Sequence, residues 1–310
     1  MKTIIFFSFI LLISVSSCNK SEEVPNGHEN FSIEANELEK DIQLDSFFLS
    51  VDSLNKDYTA HTTRFNIKKW GSRFLSAVVD GCVGAVASAA TTPIGGTIIG
   101  TGASWAYDEY LNNILDKAEK RTSQNFNSQI PTAILANDKE SMTFVDSVGY
   151  YHNKILADIS NSGKSYIDKE GNINIEELFT DISMRMNQYQ VEKEKIIDKD
   201  KQTAFSSSIK TFIKNLDPND DASFEKSFSG FESEKFVLEL SEKELSDVKQ
   251  MCNKVSKVIP YLENETAVEY GENLYEIIEV SNLSQKQKQN FKILDNIFVN
   301  SKLYWDEVNK

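Results

Sequence analysis

Gly81-Cys82-Val83-Gly84-Ala85-Val86-Ala87-Ser88-Ala89-Ala90-Thr91-Thr92-Pro93-Ile94-Gly95-Gly96-Thr97-Ile98-Ile99-Gly100-Thr101-Gly102-Ala103-Ser104-Trp105-Ala106 runs for 26 residues without a charged side chain. Small residues recur in it at four-residue spacing, Gly84 with Ser88, and Gly96 with Gly100 and Ser104. On a helix this spacing lays a smooth strip along one face, where a second backbone can approach closely. Pro93, which lacks an amide proton, breaks the helical run after Thr91-Thr92. The stretch reads as two Gly/Ala-rich helices folded into a hairpin.

Two uses compete for such a hairpin. In a bilayer, Trp70, Trp105 and Tyr107 would sit at the interface, and Arg64, Lys68, Lys69 and Arg73 would face lipid head groups. The arms are short for that: Ser76 to Ala90 gives roughly 22 Å and Ile94 to Ala106 roughly 20 Å, against a ~30 Å hydrocarbon core. Asp80 inside the first arm would add about 2.5 to 3.5 kcal/mol at mid-membrane. The magnitudes favour a hairpin packed in the protein's own core, with contact between copies of the chain as a third use.

Outward from the hairpin the patterning is that of ordinary amphipathic helices. Asn137 with Glu140 precedes the stripe Phe144, Val145, Val148, Tyr151, Ile155, Leu156 and Ile159, and Asn174 with Glu177 precedes Leu178, Phe179, Ile182, Met186 and Tyr189. Ser241 with Glu244 opens a stripe through Val248, Met251 and Val255 to Pro260, and Ser284 with Gln287 opens one through Phe291, Leu294 and Phe298. Each pair is a capping signature, and each stripe defines one buried face. A mainly α helical bundle is the expected class, with one small β-hairpin possible around Glu170-Gly171. Toward the amino end Leu38, Ile42, Phe47, Phe48, Val51 and Leu54 predict one or two further helices, followed by a polar connection at 55–63.

The first residues carry a targeting signal. Lys2, the apolar run Ile4 to Ile13 and the small residues Ser14-Val15-Ser16-Ser17 before Cys18 form a signal peptide too short to span a membrane. The small residues resemble a lipobox, in which Cys18 is diacylated and becomes the first mature residue. Acyl chains on one terminus anchor durably, at roughly 0.8 kcal/mol for each buried methylene. Asn19-Lys20-Ser21-Glu22-Glu23 looks like the export signal that sends Bacteroidota lipoproteins to the outer face of the outer membrane, with inner-membrane retention as the alternative. The expected organisation is 1–17 signal peptide, 18–30 polar tether, 31–63 helical segment, 64–122 Gly/Ala-rich hairpin and 123–310 helical body.

Charge and residue chemistry exclude several functions. With 33 basic and 47 acidic side chains the net charge is −14, which opposes nucleic acid as a partner. Beyond Cys18 only Cys82 and Cys252 remain; their sequence surroundings differ, so two buried free thiols are expected rather than a disulfide. His28, His61 and His152 fall in no metal-binding spacing, and no nucleophile elbow, phosphate loop or dinucleotide fingerprint occurs. The run Asp168 to Glu177 is two residues short of a calcium loop. No cofactor, metal or catalytic residue is expected. His152 lies on the apolar stripe of its helix, as a hydrogen-bonded core histidine does.

The Gly-rich segment after Lys69-Trp70, then Val148-Gly149-Tyr150-Tyr151-His152-Asn153-Lys154-Ile155-Leu156, then Ser281-Asn282-Leu283-Ser284 running to Ser301-Lys302-Leu303-Tyr304-Trp305 together resemble a loose group of uncharacterised Bacteroidota lipoproteins. These carry a bacteriocin-like glycine stretch, a Val-Gly-x-x-His-Asn-x-x-Leu helix and a terminal helix ending in Tyr-Trp. The resemblance touches about half the chain and supplies no activity. It implies a shared framework of His152, Asn153 and Trp305, while Thr91-Thr92-Pro93 and Cys82 depart from the richer glycine pattern. The expectation is a membrane-anchored lipoprotein, non-enzymatic, that binds an envelope component. The alternative is a membrane-active, bacteriocin-like or antagonistic protein using the hairpin.

Overall fold

The computed structural model describes residues 28–60, 67–114, 131–136, 142–168, 172–189, 197–217 and 220–308. Cys18 and the signal and export stretches lie outside them, as do Asn137, Glu140 and the side chains of Arg64, Lys68, Lys69, Trp70 and Arg73. The chain divides into two compact units, residues 1–41 and 42–310. In the first, the described structure is the opening of helix α1 (His28–Thr59), which begins inside the stretch assigned to the tether.

The second unit is mainly helical, a bundle in which α2 (Ile67–Ala90) and α3 (Pro93–Ile114) are inner helices. Around them stand α4 (Phe144–Ser162), α5 (Ile175–Gln188), α6 (Lys199–Asn215), the short α7 (Asp221–Ser227) and α8 (Ser229–Glu234), α9 (Glu242–Ser256), α10 (Asn264–Val280) and α11 (Gln285–Val308). Every residue from Leu75 to Ala90 is buried, so α2 meets neighbours on all sides. A helix with so little polar surface needs cover on every face.

The link between α2 and α3 is fixed by hydroxyl chemistry. Thr91 Oγ1 donates to Ala87 O at 2.6 Å, closing the end of α2. Thr92 Oγ1 accepts from Gly95 N at 3.1 Å, and Pro93 occupies the first turn of α3, where no amide proton is needed. The two helices then pack without side chains between them. A Cβ on Gly96 would stand 2.7 Å from Gly84 O and 2.9 Å from Ser88 Cβ, and one on Gly100 would stand 3.1 Å from Gly84 Cα. Helix α11 approaches the same strip of α2 from beside α3, since a Cβ on Gly81 would meet Phe298 at 3.1 Å and one on Gly84 would meet Ile297 at 2.6 Å.

Three of the four capping signatures form as the sequence predicts. Asn174 accepts from Glu177 N, Ser241 and Glu244 make a reciprocal box, and Ser284 accepts from Gln287 N at 3.3 Å. The fourth is a correction. Helix α4 starts at Phe144, capped by Thr143 with Asp146 in the reciprocal role, rather than from Asn137 and Glu140. Asp146 is the shorter acid, yet its Oδ2 still takes both Thr143 N at 2.7 Å and Thr143 Oγ1 at 2.8 Å.

Helix α1 runs on to Thr59, through residues read as a connection. Phe47, Phe48 and Val51 are buried as expected and Leu44 joins them, but Ile42 is 60% exposed, because the packed face turns on 44, 47, 48 and 51 and leaves 42 outside it. Polar contacts fix that half of α1: Asn55 Nδ2 donates to Lys254 O at 2.9 Å, and Lys254 Nζ meets Asp52 at 2.7 Å. Among the described residues no extended strand forms; Ile167 and Ile173 make one antiparallel bridge, and Glu170-Gly171 lie outside the described residues.

Candidate functional site: a sealed polar cluster around Asp80

Asp80 lies in the middle of α2 with no exposed surface. A lone carboxylate there would be costly, so its surroundings must supply donors. Three helices do. From α3, Ser104 Oγ donates to Asp80 Oδ2 at 2.6 Å. From α11, Ser301 Oγ and Trp305 Nε1 donate to the same oxygen, the indole at 3.3 Å. From α4, His152 Nε2 stands 3.4 Å from it. Trp305 Nε1 also reaches Ser104 Oγ at 3.2 Å, so the donors are tied to one another.

The orientation of His152 is set one layer further out. Asn153 Nδ2 donates to Pro131 O at 2.9 Å and to Asn300 O at 2.7 Å. With both amide protons committed, its Oδ1 faces His152 Nδ1 at 3.0 Å as an acceptor. Nδ1 therefore donates to Asn153, while Nε2 on the other side of the ring faces Asp80 Oδ2 across 3.4 Å. Asn300 extends the network, accepting from Ala133 N at 2.8 Å and donating to Ala133 O at 3.0 Å, which pins the extended segment 131–136 across α11.

The sequence-derived residues fall into place as follows. Gly84, Ser88, Gly96 and Gly100 line the contact between α2 and α3, and Ser104 continues that strip into the Asp80 cluster. Ser88 Oγ lies 3.3 Å from Asn290 Oδ1 of α11. His152, Asn153 and Trp305 all belong to the cluster. Sequence reasoning missed its centre: Asp80 entered only as a penalty, Ser301 only as part of the terminal-helix motif, and Asn300 went unmarked. An aspartate in an otherwise uncharged helix was the available signal, since it demands partners from elsewhere in the chain.

Chemically the cluster is closed. Asp80, Ser104, His152, Asn153 and Ser301 are all fully buried, so no solute reaches them in this conformation. No set of three His, Cys, Asp or Glu side chains that could hold a metal occurs among the described residues. An open depression of about 580 Å³ between the starts of α5 and α6 is lined by Asn174, Glu177, Asp198 and Lys199. Its cap oxygens are spent on Glu177 N and Lys201 N. No family model, curated protein or solved structure matches this chain.

A second buried carboxyl, Asp295 on α11, has neither oxygen hydrogen-bonded, and burial pushes its pKa well above the ordinary 3.8. The folded form thus holds a proton that the unfolded chain releases near pH 4, and stability falls as pH rises from there toward the folded value. Asp295→Asn is expected to leave the urea midpoint near pH 4 almost unchanged and to raise it at pH 7. Equal midpoints for the two proteins at pH 7 would show that Asp295 is ionised at no cost.

Proposed function

We propose that this protein is a lipid-anchored envelope protein, attached through acylated Cys18, whose helical body acts by binding another envelope component rather than by catalysis. One observation carries the reading: among the described residues, the side chains of the Asp80 cluster face inward and join helices, whereas an apolar tip faces out. Phe236 is 84% exposed on the turn between α8 and α9, with Val237 beside it. The turn is held from within by buried Leu238 and Leu240. It also keeps Glu239 at φ 56°, a conformation that non-glycine residues adopt only under constraint, with its carboxylate 2.6 Å from Lys201 Nζ. A rigid turn presenting an exposed aromatic suits contact with a partner. The acidic balance argues against nucleic acid in that role.

In this reading the Gly/Ala-rich α2–α3 hairpin is the scaffold of the body. The competing reading, a membrane-active protein that releases the hairpin into a bilayer, draws on the uncharged stretch 81–106 that joins α2 to α3. Against it, no described helix is long and apolar enough to cross a membrane, and Asp80 is bonded to both α3 and α11.

A photo-crosslinking residue at Phe236 in living cells tests the proposal. A discrete adduct with one envelope protein is expected, absent when the probe is moved to exposed Lys199 on α6. Loss of the adduct together with turnover of a substrate by the purified protein would overturn it.

A further inference from the structure

Cys82 sits on α2 and Cys252 on α9, 170 residues apart in sequence. The two helices pack against one another, and each cysteine is 1% exposed within the same apolar core. The two side chains lie within hydrogen-bonding reach of each other, so the differing sequence surroundings converge on one spot. Both are free thiols in this structure.

We infer that Cys82 and Cys252 are joined by a disulfide when the chain folds in an oxidising compartment, stapling the inner helix α2 to α9. Two S–H bonds break and one S–S bond forms. The two protons and two electrons pass to the disulfide of an acceptor, either an oxidised dithiol oxidoreductase or oxidised glutathione, whose S–S bond breaks to give two thiols. The exchange passes through a mixed disulfide, which needs an exposed sulfur. Burial of both sulfurs therefore places the reaction before the core closes, on the partly folded chain. Burial also raises the Cys82 thiol pKa well above its ordinary value, so a pair that reaches the folded state as thiols is inert to later oxidation. The bond would close a long loop of the unfolded chain, the case in which a cross-link stabilises most.

The natural occurrence of the bond rests on the export reading above, whereas its formation in vitro does not. The purified full-length chain is unfolded under reducing conditions and refolded with oxidised and reduced glutathione, then mapped as peptides without reduction. A peptide pair linking Cys82 to Cys252 is expected, along with a melting temperature about 10 °C above that of protein refolded with reductant. Cys82→Ser and Cys252→Ala should each abolish the linked pair and melt with the reduced form. Recovery of both cysteines as alkylatable thiols after oxidative refolding would overturn the inference. A bond that forms in vitro while rapid alkylation of cells finds both thiols free would instead count against export.

Discussion

Asp80→Ala is expected to lower the unfolding free energy by about 3–5 kcal/mol, because it leaves the buried donors of Ser104, Ser301, Trp305 and His152 facing a cavity. Each kcal/mol moves the melting temperature of a domain this size by about 2–4 °C, so calorimetry should read a fall of about 6–20 °C. Asp80→Asn keeps the shape and one acceptor but loses the attraction for His152, and should fall between the two. The informative control is Asp80→Ala combined with His152→Leu. If the histidine is held by the carboxylate, the double variant loses less than the sum of the singles. A loss below about 1 kcal/mol for Asp80→Ala would mean that the carboxyl is only loosely engaged by these donors. The cluster would then not be what joins α2, α3, α4 and α11.

What could be read from the sequence was what is local. A capping box spans four residues, so Asn174 with Glu177, Ser241 with Glu244 and Ser284 with Gln287 announce their helices without tertiary help. Helices whose boxes depart from the pattern were not read. At the start of α6, Asp198 caps the helix but Lys201 stands where an acid would answer, and at the start of α10 the roles are exchanged between Glu263 and Thr266. The Gly/Ala strip was legible for the same reason as the caps, being a four-residue period on one helix.

The Asp80 cluster is of another kind. Ser104 lies 24 residues from Asp80, Ser301 221 and Trp305 225, so no spacing rule joins them. Only the demand of a buried charge for donors predicts that partners exist, and it names none of them. The approach of Cys82 to Cys252 was hidden likewise, since it depends on which face of α9 meets α2.

Gly96→Ala carries a prediction whose sign separates the two functional readings. In a helix free of close neighbours, alanine is favoured over glycine by about 1 kcal/mol, so a hairpin whose arms stand apart in lipid would gain stability. In the folded body the new methyl would stand 2.7 Å from Gly84 O, a backbone atom that cannot swing aside as a side chain can. Overpacking of this kind costs about 1–3 kcal/mol or more and outweighs the propensity gain, so a net loss is expected in urea unfolding. The contacts set an order. Gly100→Ala, with Asp80 O at 3.0 Å, should lose less than Gly96→Ala. Gly81→Ala, whose nearest atoms belong to the Phe298 side chain at 3.1 Å, should lose least. Dye release from liposomes by the same proteins supplies the second measurement. If the body works closed, wild type and Gly96→Ala alike release nothing. Release by the wild type, with Gly96→Ala as stable as wild type or more so, would show that α2 and α3 part from each other, and the membrane-active reading would displace the binding one.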